Sequence, residues 1–145
     1  MLRLTTRYAD GWNLAWFGAD SGRFTRKQEQ LRAACSEIGR PPDQLATSAG
    51  VNVIPLADAN DQPEALARLR QTNTRLADAS DEQIHARYMI GDAGAIEQRL
   101  RPYSDAGTSV AICLVPGLSD SGEGAEMLQV IGGCVLPRVR RRPTA

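Results

Sequence analysis

Ser109-Val110-Ala111-Ile112-Cys113-Leu114-Val115 holds the longest apolar run in the chain, Val110 to Val115. Its length is that of a buried strand and falls far short of the ~20 apolar residues that span a bilayer. A strand with almost no polar alternation belongs where both faces are covered, which is the condition of parallel sheets. The run therefore predicts an α/β fold in which helices cover the sheet.

Outward from this run, the chain alternates between strand and helix signals. Ala49 to Ile54, with Val51, Val53 and Ile54, is a second strand stopped by Pro55. Trp12-Asn13-Leu14-Ala15-Trp16-Phe17, after the turn Ala9-Asp10-Gly11, is a third. Between them lies a helix over Thr25 to Ile38, with Phe24, Leu31, Cys35 and Ile38 at helical spacing. Thr25 with Gln28 fits a capping box, and Gly39 before Pro41-Pro42 is a stop.

The other helices follow the same logic. Met1 to Tyr8 reads as a helix end, with Leu2, Leu4 and Tyr8 as inward positions. Pro63 suits a first helical turn, and Leu66, Leu69, Asn73 and Leu76 then share a face. Ser80 with Gln83 opens a short helix ending near Tyr88. Asp92 caps another, with Ile96, Leu100 and Tyr103 inward, Pro102 kinking it or tightening its last turn, and Gly107 ending it. A final helix carries Met127, Val130, Ile131, Cys134 and Val135. The order α-β-α-β-α-α-β-α implies parallel strands joined by crossovers.

Composition narrows the function classes. Acidic and basic residues balance at 17 each, so no one-signed field steers the molecule to nucleic acid or a membrane. Arg138, Arg140, Arg141 and Arg142 form a basic tail, but no aromatic residues are interleaved with it. Cys35, Cys113 and Cys134 are far apart and form no CxxC, and His85 is the single histidine, so no metal site is expected. The cysteines sit at apolar positions and read as buried thiols. Their odd number, without a signal-peptide pattern, points to a reducing, cytoplasmic setting.

Four segments carry a resemblance. They are Leu4-Thr5-Thr6-Arg7-Tyr8-Ala9-Asp10-Gly11-Trp12-Asn13, then Cys35-Ser36-Glu37-Ile38-Gly39-Arg40-Pro41-Pro42 with Asp43. Next come Ile90-Gly91-Asp92 with Ile96 to Arg101, Tyr103 and Asp105-Ala106-Gly107, and finally Val135-Leu136-Pro137-Arg138. In this order and spacing the chain resembles the luciferase-like monooxygenase family, especially its deazaflavin-dependent bacterial members. Where the family often has Thr-Pro or Ser-Pro after the glycine, this chain has Asp92-Ala93.

The resemblance implies a partial (β/α)8 TIM-type barrel over residues 1–140, the last three parallel strands with flanking helices, followed by the tail 141–145. About five strands would lie upstream, with the Gly-rich segment that helps hold the cofactor phosphate. It implies deazaflavin or FMN as cofactor and a small-molecule substrate for the parent enzyme, with this chain alone incomplete. The alternative is a non-catalytic truncated α/β fragment that self-associates, as a homodimer for instance, through its open sheet edges. Leu14, Val53 and Ile112 would then be partly uncovered.

Active sites of such barrels lie at the C-terminal ends of the strands. That rule selects Asn13, Trp16 and Phe17, then Ile54 and Pro55, then Pro116 and Gly117. Trp12, Asn13 and Trp16 are the candidates for lining a cofactor cavity, through indole packing and an amide hydrogen bond. The competing reading makes Trp12 and Trp16 core residues. Asn52 either faces the barrel interior and a ligand or bonds to a neighbouring strand. Arg23 and Lys27 read as a solvated helix face rather than a phosphate site, His85 as a surface residue, and Gly91-Asp92 as a structural cap. No catalytic residue is singled out.

Overall fold

The structure, a computed structural model, describes residues 2–14, 21–116 and 122–135. In chain order the elements are α1 (Leu2–Tyr8), β1 (Gly11–Leu14), α2 (Ser21–Glu37), β2 (Ala46–Pro55), α3 (Gln62–Thr72), α4 (Asp81–His85), β3 (Met89–Gly91), α5 (Ala93–Asp105), β4 (Val110–Leu114) and α6 (Gly122–Val130). A π-helical turn, Ile131–Val135, continues α6. β2 is the hub of a four-stranded sheet and pairs in parallel with each of the other strands. Its first residues face β1, its middle β4, and Val53 to Pro55 face β3. The sheet does not close on itself.

Strand alternation divides the sheet into two unlike faces. Residues paired in register across parallel strands point the same way, so Trp12 goes with Thr47, Leu14 with Ala49, Val51 with Cys113 and Val53 with Met89. This outer face is buried against α2, α5 and the π-helical turn, where it meets Phe24, Ile96, Leu100, Tyr103 and Val135. The Phe24 and Tyr103 rings sit 4.9 Å apart at this seam. The inner face carries Asn13 beside Ser48 and Val110, Gly50 beside Ile112, and Asn52 beside Leu114. Near its top, Ile54 and Ile90 are buried instead, under Leu66, Leu69, Leu76 and Ile84 of the 62–84 segment.

The segments that carry the family resemblance are the joints of this fold. Arg40 donates to Thr6 O (2.8 Å) and Gln44 O (3.0 Å), closing the C-terminal end of α1 against the end of α2. Asp92 Oδ1 accepts from Ala95 N–H at 2.8 Å and caps α5. Arg32 donates to Ala106 O at 2.6 Å and satisfies the other end of α5. Gly107 leaves that end with φ +93, a conformation that suits a residue without Cβ.

Several sequence expectations are corrected. Val110 (54% exposed), Ile112 (44%) and Leu114 (49%) of β4 are not covered on both faces, because the sheet is open and no described element packs over their inner side. Leu14 and Val53 are buried, since their register turns them to the helices; of the residues expected to be uncovered, only Ile112 is. On α1 the inward positions are Leu2, Thr6 and Ala9, one helical face, so Leu4 and Tyr8 project into solvent. Ile38 is also exposed, lying past the end of α2.

Two helix boundaries and a strand also differ. α2 begins at Ser21, so Thr25 is not a cap; its hydroxyl donates to Ser21 O at 3.0 Å inside the helix. Cys134 is exposed rather than buried. The short strand β3, between the helix expected to end near Tyr88 and the Asp92 cap, is not among the expected strands; three residues are too few to show a period. The Ser80–Gln83 capping box has both its bonds, although α4 ends at His85.

Candidate functional site

The C-terminal edge of the sheet is where a parallel α/β fold gathers ligands, because the loops that follow each strand meet there. Two features lie along it: the open inner face and a cavity between α3 and α6.

The inner face brings together three polar side chains. Ser48 Oγ donates to Asn13 Oδ1 at 3.0 Å across the β1–β2 pair. That bond fixes the Asn13 amide by its oxygen, so Nδ2 is the group it can offer to a ligand. Asn52 Nδ2 donates to Arg87 O at 3.2 Å and ties β2 to the turn after α4, with Oδ1 as its remaining acceptor. Gly50 separates the two on β2, giving a flat, polar-edged surface. No cation stands among the inner-face residues of the described strands.

Trp12 and Asn13, adjacent in sequence, point to opposite sides. Trp12 is half-buried and packs on the outer side against the cores around Phe24 and Leu31. Asn13 is exposed on the inner side. The third candidate, Trp16, lies outside the described residues, as do Phe17 and Gly117.

The cavity, about 670 Å³, is formed by the ends of β2 and β4 and by the facing sides of α3 and α6. Ile54, Leu56, Leu69 and Met127 give it an apolar floor. Among the described residues, Asp61, Glu64, Arg68 and Glu126 are its charged groups. Arg68 lies 3.7 Å from Glu64, one turn away on α3. Pro55 and Pro116, picked out from the sequence as strand-end residues, both border it. The acidic side chains escaped the sequence reading because Asp61, Glu64 and Glu126 carry no spacing signal; only the meeting of α3 with α6 gathers them.

His85 is half-buried at the end of α4, with Nε2 3.2 Å from Gln62 Nε2 of α3. Its Nδ1 is buried and has no hydrogen-bond partner among the described residues. Burial, and then the Arg99 guanidinium, push its pKa below the ordinary value, while Asp81 opposes them. Arg99 itself donates to Tyr88 O at 2.9 Å, so this cluster braces the turn that Asn52 also holds.

Lys27 donates to Gln30 on the exposed side of α2. Cys113 is partly buried, which raises its thiol pKa, and Cys35 is fully buried. Among the described residues, no three His, Cys, Asp or Glu side chains gather as a metal ion would require, and no helix is long and apolar enough to cross a membrane.

No protein-family model and no curated relative matches the sequence. Solved structures do match in fold. One is the coenzyme F420-dependent tetrahydromethanopterin reductase from Methanopyrus kandleri, with TM-score 0.69 and 14% identity over 97% of this chain and 48% of that one. A second is the EDTA monooxygenase from Chelativorans sp. BNC1, with TM-score 0.69 and 14% identity over 96% of this chain and 41% of that one.

A third is the oxygenating constituent of 3,6-diketocamphane monooxygenase from Pseudomonas putida, in complex with FMN. It has TM-score 0.64 and 15% identity over 95% of this chain and 45% of that one. The chain thus spans less than half the length of these three proteins. At such identities the likeness is one of fold: the chain shares the parallel α/β fold of part of these proteins, its sheet left open.

Proposed function

We propose that this chain is the C-terminal part of a flavin- or deazaflavin-dependent luciferase-like oxidoreductase, and that it is not active alone. The observation that carries the reading is the inner face. A parallel sheet with a finished outer core presents Asn13, Ser48 and Asn52 beside exposed Val110, Ile112 and Leu114 on its unfinished side. Solved proteins of the same fold that depend on F420 or hold FMN are about twice as long, which supports a barrel completed by strands beyond this chain.

When bound, a flavin or deazaflavin ring accepts or delivers a hydride. The amides present suit the polar edge of such a ring. Asn13 offers Nδ2 as donor and Asn52 offers Oδ1 as acceptor, each held by a bond to a neighbour. Gly50 and the apolar side chains of β4 suit its faces and exclude water. The inner-face strands offer no cation for the cofactor phosphate, so that group would be held by residues beyond those strands. Trp12 acts here as a positioning residue: its packing on the outer core sets the register that turns Asn13 inward.

The test is a titration of the purified chain with FMN and with F420, read by fluorescence and, at millimolar ligand, by nuclear magnetic resonance. The expected result is no saturable binding at micromolar ligand, with millimolar FMN shifting the side-chain amide signals of Asn13 and Asn52. Saturable micromolar binding overturns the claim that the chain is incomplete. Unmoved Asn13 and Asn52 signals overturn the flavin reading.

A second reading is favoured by the same exposed residues of β4. A non-catalytic fragment would cover Val110, Ile112 and Leu114 with a second copy of itself and form a homodimer.

A further inference from the structure

The cavity between α3 and α6 differs in character from the inner face, and its charge sets what it can take. Its volume, about 670 Å³, lies in the range of small-molecule sites, and it stands at the C-terminal edge of parallel strands. Its floor of Ile54, Leu56, Leu69 and Met127 suits an apolar body. Among the described lining residues, three carboxylates accompany one guanidinium, and Arg68 already lies beside Glu64. Asp61 stands at the start of α3 but makes no capping bond with its side chain. The described lining therefore carries an excess of negative charge next to an apolar floor, and its exposed carboxylates favour a cation most strongly at low ionic strength.

FMN and F420 both carry phosphate, which this lining repels. We propose that the cavity receives the second reactant rather than the cofactor, and that this reactant is an organic amine with an apolar body, protonated at neutral pH. The apolar body occupies the floor between Leu69 and Met127, and the ammonium group meets Asp61 and Glu126 at the rim. Its role as a reactant rests on the oxidoreductase reading; the binding preference rests on the cavity alone.

The experiment titrates the full 145-residue chain with 2-(1-naphthyl)ethylamine and with 1-naphthylacetate, ligands of matched aromatic skeleton and opposite charge. Nuclear magnetic resonance follows the Leu69 and Met127 methyl groups. The amine is expected to shift both signals saturably, about tenfold tighter than the carboxylate. The double variant Asp61→Asn with Glu126→Gln is expected to bring the two affinities within about threefold, with an unchanged melting curve because both side chains are exposed.

A carboxylate that binds as tightly as the amine overturns the proposal. So do failure of both ligands to bind, and an amine preference that survives the double variant. The flavin reading is judged separately, by FMN at Asn13 and Asn52. Amine binding without FMN binding leaves the cavity assignment intact, while the reverse leaves the flavin reading intact.

Discussion

Gln28 Nε2 donates to Thr47 Oγ1 at 3.0 Å, and both side chains are buried. Thr47 Oγ1 in turn donates to Gly107 O at 3.0 Å, so one hydroxyl joins α2, β2 and the turn between α5 and β4. This polar chain lies at the N-terminal end of β2, far along the strand from the cavity. It fixes the helix layer on the outer face at the end of the sheet opposite the cavity.

Thr47→Val keeps the shape and removes both bonds, leaving Gln28 Nε2 and Gly107 O buried without that partner. The expected cost is about 1–3 kcal/mol. Urea unfolding, compared with Thr47→Ser, checks it: Ser retains the hydroxyl and should lose less. A Val variant within about 0.5 kcal/mol of the parent would mean that the network contributes little.

Gly91→Ala should cost more than its size suggests. Gly91 has φ +149, and a Cβ there would stand 2.8 Å from Ala95 Cβ in the first turn of α5. Backbone strain alone is worth about 1–3 kcal/mol. The thermal midpoint should fall by several degrees, whereas Gly132→Ala, with open space around it, should move it little.

The sequence was most legible where local chemistry and fold agree. Pro63 in the first turn of α3, Asp92 at the cap of α5 and Ser80 with Gln83 at α4 all act as the residue types suggest. Which face of a strand points outward is a property of register, and register is set by partners far along the chain. Leu14 and Val53 therefore turned out to face the helices, and Trp12 parted from Asn13. The apolar run Val110 to Val115 marked a strand correctly, but whether its inner face is covered is decided by elements distant in sequence, which the run itself does not announce.

The site was legible only in part, for the same reason. The strand ends at Pro55 and Pro116, selected by the rule that sites gather at one edge of the sheet, border the cavity, whereas Asn13 lies on the inner face and does not line it. The cavity's carboxylates come from two helices more than fifty residues apart, a pairing that no local motif announces.

His85 should make stability depend on pH in a definite direction. Burial and Arg99 hold its folded pKa below the ordinary 6.5, so the unfolded chain binds more protons in the window just beneath that value. Its contribution is complete above about pH 6.5 and is lost as pH falls through that window toward the folded pKa. His85→Gln can retain a side-chain contact with Gln62 and removes the titration. The melting temperature of the parent should drop more between about pH 7.5 and about pH 5.5 than that of the variant. Equal drops would place the proton uptake on other groups.

The exposed side of β4 makes the last prediction. Covering a Val, Ile or Leu side chain is worth about 1.5–3 kcal/mol, and Val110, Ile112 and Leu114 stand together without that cover. Beside an open sheet, such a row favours association. The purified chain should therefore show a mass that rises with concentration in sedimentation equilibrium.

Ile112→Lys with Leu114→Lys should weaken that association by at least about tenfold. It should leave the unfolding transition of the monomer nearly unchanged, because these side chains already face water. A parent chain that stays monomeric at high concentration would remove the self-association reading.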